Sequence, residues 1–285
     1  MAWVPMGMSP EQHAELVDGI QPWMREDMKG WLARAISMNT TSGPTVDHDL
    51  IREFDRRARS ADPIAEYLQR GGGSAFEYHL YNDSALYIRF VDFLVWKRSQ
   101  EPQSERSAGI LALLNAILEA GGSRWKVGDR RGVPGLELRV PEGVQQAAET
   151  AMSTPGHAGT LLSEAWHAVF GVNPMPETGY RQAVLAVEAA AIPVVIPTDP
   201  SATLGKVFTV MRDQKDWALD IKKQHKDYPT TAVLLSMIQM LWAGQGRHAG
   251  QPDWAPNTQA EAEVAVMLAV PLVQWFSSGA IARRP

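Results

Sequence analysis

The sequence predicts a mainly α fold, a helical N-terminal region with one small β-hairpin followed by a C-terminal helical bundle. Three observations carry this. Apolar residues recur every three or four positions along most of the chain, as in Tyr87, Phe90, Val91, Leu94 and Val95, and that spacing lines one face of a helix. Helix-start words, Ser9-Pro10-Glu11-Gln12 and Thr258-Gln259-Ala260-Glu261, stand at the head of such runs, where a hydroxyl can accept from the backbone N–H three residues on. Only near residues 124–140 does the period change to two. There Trp125-Lys126-Val127 and Leu136–Val140 flank a turn from Gly128 to Gly135, the pattern of a two-stranded hairpin.

Taken in order, the first helix starts at Ser9 and carries Leu16 and Ile20 on one face until Pro22 restarts the chain. Trp23, Met24, Met28, Trp31, Leu32 and Ile36 then mark a second helix, and the Gly-Pro stretch Asn39–Thr45 reads as a polar linker. Leu50, Ile51 and Phe54 form the narrow apolar stripe of a charged helix whose basic end is Arg56-Arg57-Ala58-Arg59. Such a run at a helix C-terminus is usually a solvated face. Gly71-Gly72-Gly73 predicts a break. Ile110, Leu113, Leu114, Ile117 and Leu118 predict a helix stopped by Gly121-Gly122.

Past the hairpin, Pro141-Glu142 opens a helix and Ser153–Gly156 interrupts it. Two helices follow, one on Leu161, Leu162, Ala165, Trp166 and Val169, the other on Tyr180, Val184, Val187 and Ala191. Pro193–Pro197 predicts an extended connector, because proline lacks the N–H a helix interior needs. Thr203–Phe208 restarts a helix, with Val207, Phe208 and Met211 inward, and Lys215–Tyr228 reads as its tail and a loop. Val233, Leu234, Met237, Ile238 and Leu241 form the next helix, and Val264, Met267, Leu268, Leu272, Trp275 and Phe276 the last, with a kink expected at Pro271.

At 285 residues the chain exceeds the usual single domain. Two are expected, 1–156 and 157–285, divided at the Ser153–Gly156 break. A net charge of −5 excludes a general nucleic-acid coat and confines any RNA contact to a local patch. The absence of cysteine removes disulfides and thiolate-bound metals, and leans toward a cytoplasmic protein. The longest apolar run, Val264–Phe276, falls short of the roughly 18 residues a bilayer span needs. No membrane partner is expected.

Chemistry-bearing residues converge at Met240–Gly250, where an apolar helix gives way to Gly244-Gln245-Gly246-Arg247-His248-Ala249-Gly250. Histidine titrates near neutrality and can move a proton, and an arginine fork holds a phosphate. Arg247 and His248 are the candidate catalytic pair. Glu188, in the middle of an apolar helix, is expected either to reach a cation such as Arg247 or Lys206 or to lie on an exposed edge, since an unpaired buried carboxylate is costly. His157 and His167 lack acidic partners at ligand spacing, and Lys206 lacks a preceding glycine-rich phosphate loop. No metal and no cofactor are expected. Neither Gly-x-Ser-x-Gly nor His-Glu-x-x-His occurs.

From Leu161 to Gly279 the chain resembles the HEPN-like helical domain of abortive-infection proteins. The resemblance is carried in order by Tyr180–Glu188, by Thr203-Leu204-Gly205-Lys206, by Gly246–Gly250 and by the alanine-rich helix Glu261–Phe276. The hairpin-bearing N-terminal region is more loosely similar to those that accompany such domains. The resemblance implies a helical bundle, a homodimer, and metal-independent cleavage of RNA in antiviral defence. The family motif is an arginine, a polar residue and then a histidine about four to six residues further on. Counted back from His248, the arginine position falls on Trp242 or Ala243, and the available Arg247 adjoins His248 directly. Two expectations therefore stand: an RNA-acting protein, active or degenerate as a metal-independent endoribonuclease, or a non-enzymatic dimeric module that binds a protein partner.

Overall fold

The computed structural model describes residues 4–101, 105–130, 132–246 and 255–284. The protein is mainly helical with small antiparallel strand pairs, as predicted, and its contacts divide into two compact units, Met1–Arg139 and Val140–Pro285. The expected division lay at residue 156. In the structure the helix Glu142–Met152 packs on helices of the second unit, so that unit begins at Val140.

Unit 1 runs α1 (Pro10–Ala14), α2 (Arg25–Ala35), β1 (Ser37–Thr40), β2 (Gly43–Val46), α3 (His48–Ala58), α4 (Ile64–Asn82), α5 (Ser84–Ser99), α6 (Glu105–Ala120), β3 (Trp125–Arg130) and β4 (Val133–Leu138). Its organising element is α5, which buries Leu86, Tyr87, Phe90, Val91, Leu94 and Val95 and packs on α4, α6 and β4. Phe90 meets Phe54 of α3 and Phe76 of α4 edge-on at 4.9 and 5.9 Å, an arrangement that aligns ring edges with ring faces. Two polar ties close the frame. The buried Trp31 indole donates to the carbonyl of Ile110 at 2.9 Å, and the buried Arg98 donates to the carbonyl of Ala35 at the end of α2. Arg57, in the basic run, pairs with Glu53 at 2.8 Å and lies over the Trp96 ring. That run is thus partly spent on structure.

Two local readings of unit 1 change, and a third holds. The capping box at Ser9 is present, but α1 stops at Ala14 and Leu16 is exposed. The stretch read as a polar linker forms the antiparallel pair β1–β2, in register Ser37↔Val46. The glycine triplet is a break, as read: α4 is two helical segments that meet at a kink where Gly72 leaves helical dihedrals. Gly72 has φ +64°, a left-handed value that favours glycine, and beyond it the chain folds so that His79 stacks on Tyr67 at 3.8 Å. The hairpin stands in the expected place with longer strands, paired Trp125↔Leu138 to Arg130↔Val133.

Unit 2 runs α7 (Glu142–Met152), α8 (His157–Phe170), α9 (Pro176–Val195), α10 (Leu204–Gln214), β5 (Trp217–Leu219), α11 (Thr230–Ala243), α12 (Gln259–Ser278) and β6 (Ile281–Arg283). Helices α8, α9 and α12 form the centre. Their buried faces are rich in small residues: Ala165 and Ala168 on α8; Gly179, Ala183, Ala186 and Ala190 on α9; Ala262, Ala265 and Ala269 on α12. Of the bulky residues expected inside α12, Val264 is exposed and Met267 and Leu268 are half-buried. Val233 of α11 is exposed as well, and Phe208 of α10 is half-buried.

Pro193 lies inside the last turn of α9, where an extended connector was expected. One missing N–H so near the end costs a single hydrogen bond, and the helix still closes with the Ile196 N–H donating to the Ile192 carbonyl at 2.9 Å. Trp217–Leu219 is not loop but pairs with the C-terminal strand β6, in register Trp217↔Arg283. Helix α12 is, among the described residues, the one helix long and apolar enough to cross a membrane. Here it is a packed element of the bundle, with Val266, Leu272, Val273 and Phe276 buried.

Close approach also fixes α10 against α11, because a methyl at Gly205 would lie 2.8 Å from the Trp242 indole. Gly205→Ala is expected to destabilise unit 2 by about 1–3 kcal/mol through overpacking. Gly30→Ala, at an exposed interior position of α2 with open space around it, is expected to stabilise unit 1 by about 0.4–1 kcal/mol. Urea unfolding of the two variants checks both signs.

Candidate functional site

Arg247 and His248 lie outside the described residues, and so does Trp254. The residues that bracket them are described. Helix α11 ends at Ala243 with Gly244 as C-cap, whose N–H donates to the Met240 carbonyl at 3.1 Å. Gly244 sits so close to the hydroxyl of the buried Tyr180 that a β-carbon there would collide with it. Asn257, just before α12, donates to the Gly244 carbonyl at 3.0 Å and accepts from the Gly246 N–H at 3.3 Å. Its single amide joins the end of α11 to the approach of α12. Thr258 and Glu261 then cap α12 reciprocally, and the hydrogen bonds from Thr258 hold the Glu261 carboxyl below its ordinary range.

A pocket of about 250 Å³ opens at this junction, lined by Glu177, Thr178, Arg181, Gln245, Gly246 and Asn257. Its α9 wall follows from helix periodicity. Gly179 and Tyr180 are buried, while Arg181 is exposed on the adjoining face. Among the described residues Arg181 makes no ion pair and no side-chain hydrogen bond, unlike Gln182, which donates to Glu164 at 2.8 Å. A free guanidinium therefore borders Gly246, the residue that precedes Arg247. Residue spacing around His248 does not single out Arg181, which comes from another helix. Its place within the Tyr180–Glu188 word was the one available signal.

The two supporting residues are placed elsewhere. Glu188 lies seven residues beyond Arg181, roughly 10 Å along α9 at the helical rise. It is half-buried, and its carboxylate accepts the N–H of Leu204, the first residue of α10, at 2.6 Å. Thr203, the N-cap residue, makes no side-chain cap. Glu188 thus caps α10 from a neighbouring helix, satisfying a free amide and complementing the positive helix end. Lys206 is exposed and pairs with Asp199 at 2.7 Å. Its hydrogen bond, with that of Ser201, holds the Asp199 carboxyl below its ordinary range.

A more open groove of about 800 Å³ lies beside Glu188, between His157, Leu185, Pro193 and Phe276. His157 is exposed there at the start of α8, and His167 is half-buried further along that helix. Among the described residues no three histidine or acidic side chains are grouped to hold a metal ion. Comparison with protein-family models, with curated proteins and with solved structures gives no match to this chain.

Glu188→Ala is expected to cost about 0.5–2 kcal/mol, the usual worth of a lost helix cap, with the loss read by thermal or urea unfolding. An unchanged midpoint would show that α10 starts without it. For Asp199 the folded carboxyl is depressed, so its pairing stabilises above the unfolded range, near pH ~3.9, and that contribution is lost as the pH falls through the folded value. Lys206→Ala should move the Asp199 titration upward in a carboxyl NMR experiment. A superimposable curve would mean that the pair does not persist in solution.

Proposed function

We propose that unit 2 is a HEPN-like domain of antiviral defence that acts on RNA as a metal-independent endoribonuclease, with His248 as the proton-transferring group. The observation that supports this reading is the unpaired Arg181 guanidinium beside Gly246. It supplies, from α9, a cation that Trp242 and Ala243, the motif's arginine positions, do not offer. In the reaction, the His248 imidazole takes the proton of a ribose 2′-hydroxyl. The 2′-oxygen attacks the adjacent phosphorus, the bond to the 5′-oxygen breaks, and that oxygen leaves as a 5′-hydroxyl with a proton delivered through solvent, to which His248 returns its own. The other product end is a 2′,3′-cyclic phosphate. Arg181 and Arg247 stabilise the negative charge that develops on the phosphoryl oxygens. No redox partner enters the balance.

A second reading has its own support. Helix α11 carries no charged residue from Thr230 to Ala243, and Val233 and Met240 on it are exposed. An uncharged, partly apolar helix face fits a homodimer or another protein partner.

Incubation of the purified protein with tRNA and total RNA in the presence of EDTA tests the first reading. His248→Ala should lower cleavage by about 10²–10⁴-fold, and Arg181→Ala by about 10²-fold or more, both with unchanged far-UV circular dichroism. Equal cleavage by His248→Ala and the parent removes His248 from the chemistry. No cleavage and no RNA binding by the parent leaves the interaction module, for which light scattering at high protein concentration should report a dimer.

A further inference from the structure

Between β5 and α11 runs a loop, residues 220–228, in which every residue is exposed. Its sequence is Asp220-Ile221-Lys222-Lys223-Gln224-His225-Lys226-Asp227-Tyr228. Summed by formal charge the loop is nearly neutral, but the structure sorts the charges. Arg284, beyond the end of β6, pairs with Asp220 at 3.2 Å, and Arg283 pairs with Asp216 at the base of the loop at 2.6 Å. The chain terminus thereby cancels the acidic residues at the loop's root. Among the described residues Lys222, Lys223 and Lys226 make no ion pair, and Asp227, 3.9 Å from His225, is the acid left beside them.

The loop is held in shape rather than left loose. Gln224 accepts the N–H of Thr230 at 3.0 Å and donates to the Ile221 carbonyl at 3.3 Å, which lays the loop across the first turn of α11. Pro229 provides no side-chain cap for that helix, so the positive helix end adds to the field of the lysines. Asp227 donates its N–H to His225 Nδ1 at 3.2 Å, and the His225 ring rests against that of Tyr228 at 5.5 Å. Tyr228 is 70% exposed. One face of the ring is therefore open to a stacking partner.

We infer that this loop is a contact site for single-stranded RNA, in which Lys222, Lys223 and Lys226 take backbone phosphates and Tyr228, backed by His225, takes a base on its open face. The identity of the polyanion rests on the RNA reading of unit 2, while the loop's geometry does not. Lysines flanking an open aromatic ring match the two needs of a single strand, a charged track and a stacking platform. A membrane surface would draw more apolar side chains into contact than Ile221 and Tyr228 provide.

The test uses the full chain carrying His248→Ala, so that the probe is not cut, and a labelled single-stranded RNA of about 12 nucleotides, within the span of one stacking groove. The combined Lys222→Ala, Lys223→Ala and Lys226→Ala variant should bind about tenfold more weakly or worse. Its plot of log affinity against log salt should be shallower by about 2, three phosphates at 0.7 each. Tyr228→Ala should lose about fivefold or more, and Tyr228→Phe should bind like the parent because stacking needs only the ring. Unchanged affinity and salt slope in the lysine variant overturn the loop site while leaving the RNA reading to its own cleavage test. Failure of the parent to bind RNA overturns the loop inference also. In that case binding to vesicles of phosphatidylserine and phosphatidylcholine, lost in the lysine variant, would assign the loop to a membrane surface instead.

Discussion

Unit 2 depends on how closely α8, α9 and α12 can approach. At Gly179 a β-carbon would run into Val169 of α8, and the neighbouring contact positions are mostly alanine. Small side chains bring helix backbones together and multiply dispersion contacts, each small and collectively large. They also lose little rotamer entropy on burial. The result is a close-packed three-helix centre in which the bulkier Leu162, Trp166, Val187 and Phe276 are buried as well.

That close packing sets what lies at two positions along α9. Where it enters the bundle, the turn that buries Gly179 and Tyr180 directs Arg181 outward beside Gly246. Further along, the same helix leaves Glu188 half-buried, and the uncapped start of α10 supplies the N–H it needs. One helix thus offers a free cation at one position and a satisfied anion at another. The difference comes from what packs against each, not from the residues beside them in the chain.

The same sorting of charge marks the loop after β5. Its acids at the root are bound to arginines of the terminal strand and its lysines are left free, although net charge over the whole chain is −5. An acidic protein can present a basic contact when its local anions are neutralised internally, because the field of an exposed cluster decays within about one Debye length, roughly 8 Å at physiological salt. Unit 1 uses its charges otherwise. Lys97 and Arg57 both hold Glu53, whose carboxyl they keep below its ordinary range, and Arg98 is buried against backbone carbonyls. There the cations serve packing.

What the sequence by itself determined was the helical class, the position of the hairpin, both capping boxes, and the buried stripes of α3, α5 and α6. These follow from local periodicity and from side chains that reach backbone groups three residues away. Pairings between distant segments were not legible: β5 with β6, the capping of α10 by Glu188, and the meeting of Arg181 with Gly246. Each depends on segments far apart in the chain, which no spacing rule records. Leu272 and Phe276 are buried as read, but the first half of the inward face of α12 escaped, because hydrophobicity points to Val264, Met267 and Leu268, whereas the tight helix spacing selects Ala262, Ala265 and Ala269. Tertiary structure decided those faces because the room between two helices is fixed by both of them, and one strand of sequence describes only its own side.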